Sequence, residues 1–149
     1  GDLILVAEIP KADFRVGETI AVSTALKTTT KSSLNLGFPS SQRFNVLVYD
    51  EGGRLVYNWS AHQTFKHEYE LYQVLMVPDK EIRETVVWDL RDDSGRPVPP
   101  GRYYLVAETP FFVYGYIPGL VQGSGTTHIV RANPDISIST GKLYFTVNP

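Results

Sequence analysis

Residues 18–27, ETIAVSTALK, set Ile20, Val22, Thr24 and Leu26 against Ala21, Ser23, Ala25 and Lys27, an alternation with a period of two. Successive side chains of an extended chain point to opposite faces, whereas a helix repeats about every 3.6 residues, so the pattern predicts a strand with one covered face. The same texture recurs. DLILVAEI is nearly all apolar, RFNVLVYD and RLVYNW flank EGG as the arms of a hairpin, and ETVVWDL sends Val86, Trp88 and Leu90 to one side. RYYLVAE, DISIS and KLYFTV complete the set. In FKHEYELYQVLM, Phe65, Tyr69, Tyr72 and Met76 fit a helical stripe, but most of the residues are strand formers, which favours a strand. Eight or nine short strands parted by Gly, Pro, Asp and Asn clusters predict an all-β antiparallel sandwich, a single domain over residues 1–149.

Composition removes several classes of function. The chain has no cysteine, which excludes disulfides, thiolate nucleophiles and cysteine–zinc sites. A net charge of −2 leaves no basic footprint for nucleic acid. No apolar run approaches the ~18 residues of a membrane span, so no membrane insertion is expected. The sequence begins at Gly1 and its one methionine is Met76, so it is expected to be processed or excised from something longer.

Catalytic motifs are not found. His62 and His67 stand five apart, a spacing that fits neither a helix face nor a strand face, and HEYEL lacks the second histidine of a zinc-protease helix. With His128 they read as surface or partly buried side chains. DLRDDSGRPVPPG holds Asp89, Asp92 and Asp93, but without the alternate oxygen ligands and distant glutamate of a calcium loop. It reads as a turn in which Asp and Ser accept backbone hydrogen bonds and Gly95 and Gly101 supply unusual backbone angles. QGSGTTH is no nucleophile elbow, and STGKL lacks the leading glycine and the closing Ser or Thr of a phosphate loop. Asn58-Trp59-Ser60 matches the glycosylation acceptor pattern, one that chance often produces. No enzyme activity, cofactor or metal is expected.

PFFVYGYIPG places Phe111, Phe112, Tyr114 and Tyr116 within six positions. It predicts a hairpin, strand 111–116 with a turn at Pro118-Gly119, in which Phe112, Tyr114 and Tyr116 share one face. Aromatic side chains lose little entropy on burial and often anchor contacts, so these four are the candidate partner-binding residues; the alternative is that they cover core.

Two stretches carry a family resemblance. VVWDLRDDSGRPVPPGRYYLVAE has a strand Trp88 followed by Asp89, an Asp-rich turn with Gly95, then Val98, Gly101 and Tyr103, similar to the close of many bacterial immunoglobulin-like modules. FPSSQRFNVLVYDEGGRLVYNWSAHQTF resembles the BsuPI family of intracellular proteinase inhibitors through Phe38, Ser41-Gln42, Phe44, Asp50, Val56, Trp59, Ser60 and Phe65. It departs from that family's pattern at Ser41, Asn45 and Tyr57, where Gly, Asp and Trp are usual. The similarity spans about positions 12–108. It implies an immunoglobulin-like sandwich that inhibits subtilisin-type serine proteases by loop occupation of the active site, with such a protease as protein partner and a cytoplasmic setting. The alternative is a non-inhibitory adhesion or assembly module of a larger surface or secreted protein, which would be extracellular. Three loops are long enough to reach a partner: KTTTKSSLNLG, RDDSGRPVPPG and the excursion over 109–128. In the second, Pro97 follows Arg96 where a protease rarely accepts proline, so that loop is expected to be structural.

Overall fold

The computed structural model describes residues 3–28, 34–38, 40–65, 72–77, 79–110, 112–113 and 137–149. Its strands are β1 (Leu3–Glu8), β2 (Asp13–Arg15), β3 (Ile20–Thr28), β4 (Leu34–Phe38), β5 (Asn45–Asp50), β6 (Leu55–Asn58), β7 (Tyr72–Met76), β8 (Glu81–Trp88), β9 (Gly101–Pro110), β10 (Phe112–Val113), β11 (Ser137–Ser139) and β12 (Leu143–Asn148). Among the described residues, nine of these run four residues or more, and β2, β10 and β11 are shorter additions. The fold is the expected all-β immunoglobulin-like sandwich.

One layer has the order β1-β3-β8, and the facing sheet runs β2-β12-β9-β5-β6, with β11 also on β9. A third ladder, β10-β4-β7, joins segments that follow β3 and precede β8 in the chain. The ladders are antiparallel except β2 on β12, which is parallel. The period-two pattern of β3 is realised at its start, with Ile20, Val22, Thr24 and Leu26 fully buried and Ala21 exposed, but Ala25 on the opposite face is buried too.

The core lies between the two main sheets. Ile20, Val22, Val86 and Trp88 meet Val46, Val48, Leu105, Phe145 and Val147. Trp88 fills the space between the layers, edge-on to Phe145 at 6.0 Å and stacked on Tyr57 at 5.5 Å. Its indole N–H, buried with the ring, donates to the Arg91 carbonyl at 2.8 Å. Tyr103, the third residue of β9, donates its hydroxyl to the Pro99 carbonyl at 2.5 Å, pinning the proline-rich approach to that strand.

Local geometry differs from the sequence expectation in two places. The arm RLVYNW stops at Asn58, and Trp59–His62 form a single 3-10 turn. Leu90 is buried, but strand alternation does not put it there: β8 ends at Trp88, and Leu90 reaches the core with φ 59°, a left-handed backbone that a leucine adopts only under constraint. The EGG hairpin forms as expected, with Gly53 at φ 86° and the Asp50 N–H donating to the Arg54 carbonyl at 2.9 Å. In FKHEYELYQVLM the strand is Tyr72–Met76, and positions 66–71 lie outside the described residues.

Candidate functional site

Of the four aromatic residues expected to bind a partner, Phe111, Tyr114 and Tyr116 lie outside the described residues, as do the turn at 118–119 and the return strand. Phe112 lies in β10, where it pairs with Gly37, and Val113 pairs with Leu36. The preceding strand β9 belongs to the other sheet, so the chain changes ladder between Pro110 and Phe112. It returns at Ser137, which pairs with Pro110 itself. Phe112 and Val113 are thus paired with β4, and Ser137 to Ser139 with the end of β9.

Thr109 is fully buried at this end and donates its hydroxyl to the Arg43 carbonyl. Arg43 lies 4.2 Å over the Phe38 ring and donates to the Ser40 carbonyl at 3.0 Å. Glu84, register partner of the buried Thr24, is the carboxylate facing inward here, and burial pushes its pKa up against a smaller opposing pull from Arg43. A raised carboxyl pKa favours the neutral folded form, so its contribution is fully present below the unfolded value near 4.5 and is lost as pH rises through the folded value. Glu84→Gln should therefore raise the melting temperature at pH 7 by about 1–2 °C, a small figure because Glu84 is only half-buried, and change nothing at pH 4. Thermal scans at the two pH values check this.

The Asp-rich loop is built for rigidity, as the sequence suggests. Asp92 Oδ1 accepts from the Ser94 and Arg96 N–H groups at 2.9 and 3.0 Å and from the Ser94 hydroxyl at 2.6 Å. The Ser94 hydroxyl and the Arg96 amide are the leading causes that hold its carboxyl below the usual range. Gly95 closes the turn at φ 85°. Arg91 pairs with Pro97 across the loop and donates to the Gly95 carbonyl at 2.9 Å. The result is a tight reversal, which cannot lie as an extended strand along a protease's substrate cleft.

Asp93 ties this loop to the edge of the large sheet. Its N–H donates to the Val56 carbonyl at 3.0 Å, and its Oδ1 accepts from the Asn58 N–H at 3.0 Å. The loop thus satisfies the open side of β6, the kind of edge that otherwise invites another chain. His62 joins with Nε2 2.8 Å from Asp93 Oδ1 and its ring stacked on Tyr57 at 5.2 Å. A shallow cleft lined by Tyr57, His62, Asp89, Arg91 and Asp93 results. His62 pairs there with Asp93 and Arg91 with Asp89, and among the described residues no three His, Asp or Glu side chains are placed to hold a metal ion. His67 and His128 lie outside the described residues.

Sequence reasoning missed a network centred on Asn45. Its Oδ1 accepts from the Val46 and Ser60 N–H groups at 2.9 and 3.0 Å, and its Nδ2 donates to Asn58 Oδ1 at 2.9 Å. The Ser60 hydroxyl donates to the same Asn58 oxygen at 3.0 Å. The Asn58-Trp59-Ser60 triplet is therefore a structural joint that fastens the 3-10 turn to β5.

Residues 8–110 match the family model of the intracellular proteinase inhibitors, BsuPI, over more than half of the chain. The chain belongs to the BsuPI family. No curated protein matches it. Among solved structures, the BsuPI-family domain is similar to the sporulation control protein Spo0M of Bacillus subtilis (12% identity, TM-score 0.48, all of this chain and 50% of that one). It is also similar to the CARDB domain of the PF1109 protein of Pyrococcus furiosus, solved with di-metal ions (18% identity, TM-score 0.41, 98% and 92%). A third is the alkylpurine DNA glycosylase AlkC of Pseudomonas fluorescens, bound to DNA containing an abasic site analog (14% identity, TM-score 0.47). The domain spans 30% of that glycosylase chain. Likeness at these levels says nothing of activity.

Proposed function

We propose that this domain inhibits a subtilisin-type serine protease by placing a loop in its active site. The observation that carries the reading is the family match over residues 8–110. An inhibitor of this kind needs no chemistry of its own, only a segment held in a binding-ready shape so that little entropy is lost on docking. The aromatic stretch that contains Phe111, Phe112, Tyr114 and Tyr116 is the segment assigned to that role, in preference to the tight Asp92–Arg96 reversal, and these four are its contact residues. Incubation of the domain with subtilisin and related enzymes at equal molar amounts should slow peptide hydrolysis. Full activity across such a panel would remove the proposal.

The double substitution Phe112→Ser with Tyr114→Ser should weaken inhibition at least about tenfold, as expected for aromatic anchors, while moving the melting temperature by no more than about 2 °C. A large loss of stability with inhibition retained would instead assign the pair to core.

A further inference from the structure

Tyr144, Tyr104, Tyr49 and Leu55 form a row across four strands on the face of the large sheet turned away from the core. Neighbours in the row are register partners: Tyr144 with Tyr104, Tyr104 with Tyr49, and Tyr49 with Leu55. At the usual spacing between strands the row is about 14 Å long. The open face of an antiparallel sheet is ordinarily polar. Here Tyr144 is 45% exposed and Leu55 44% exposed, the others half-buried.

The rings of the row pack on one another and under two cations. Tyr49 and Tyr104 stack at 5.0 Å with 17° between planes, and Tyr104 and Tyr144 tilt together at 5.5 Å. Lys142 Nζ sits 4.8 Å over the Tyr104 ring, and the Arg102 guanidinium 4.7 Å over that of Tyr144. Arg102 and Lys142 are exposed, and neither has a carboxylate partner among the described residues. What the surface offers outward is therefore ring edges, which carry the positive end of the aromatic quadrupole, phenolic hydroxyls and two cations that have no carboxylate partner among the described residues. All of these attract oxygen and negative charge. Glu108 is the carboxylate that acts on Tyr49, so the positive charge of this surface lies at its Arg102–Lys142 end.

We propose that this row docks an acidic segment of a partner protein, with carboxylates on Arg102 and Lys142 and an apolar side chain on Leu55. It is a second binding surface, independent of the protease reading. The test is titration of the isotope-labelled domain with a short peptide of glutamates bearing one central tyrosine, in low salt because exposed charges are screened. Saturating amide shifts are expected at Tyr49, Leu55, Arg102, Tyr104, Lys142 and Tyr144. The charge reversal Arg102→Glu with Lys142→Glu should weaken binding about tenfold or more while leaving subtilisin inhibition unchanged. The proposal is overturned by an absence of saturable shifts, by shifts that survive the charge reversal, or by an equal response to a lysine peptide or to oligothymidylate. Dimerisation of the domain through this row would also overturn it, since a second copy would then be the occupant.

Discussion

Trp88→Ala is expected to destabilise the domain by about 3–5 kcal/mol, the cost typical of emptying a large aromatic site in a packed core. Trp88 is 1% exposed and reaches from β8 across to the facing sheet, where it meets Tyr57 and Phe145. Its removal opens a void between the sheets and leaves the Arg91 carbonyl without its indole donor. At about 2–4 °C per kcal/mol for a chain of this size, the melting temperature should fall by roughly 6–20 °C. The neighbouring Val87→Ser is the control: Val87 is 58% exposed on the same strand, and its replacement should stay within about 0.5 kcal/mol. Similar losses from both substitutions would contradict the assignment of the inward face.

Asn45→Ala should cost about 2–3 kcal/mol, read from urea unfolding, because it strips two backbone N–H groups of their acceptor and Asn58 of a donor at one buried point. Asn45→Asp should lose much less. The carboxylate keeps both N–H acceptor roles, and the Asn58 amide can turn over to donate where it now accepts, the Ser60 hydroxyl following. A severe loss in both variants would show that the joint depends on the Asn45 amide nitrogen.

Much of the fold was legible because it rests on alternation and turn chemistry, both local in the chain. Ile20 to Leu26 declared their buried face, and the Gly-bearing hairpin after Asp50 and the Asp92 turn declared themselves by composition. Trp88 and Tyr103 were readable as core and corner. The 3-10 turn at Trp59 was not, since its fastening comes from Asn45, fourteen positions upstream. Leu90 also misled: its phase matched the strand, yet it reaches the core through a left-handed residue. The site was less legible. Phe112 was placed in a strand by its neighbours, but its change of ladder depends on Gly37, far away in sequence. The tyrosine row had no local signature, because its members come from four strands and only the register brings them together.

Active-site occupation has one direct test. Binding of the domain to native subtilisin is compared, by calorimetry, with binding to the same enzyme whose cleft is filled by a covalent peptidyl chloromethyl ketone. The account expects a one-to-one complex with the native enzyme and none with the filled one. Equal binding to both would contradict it.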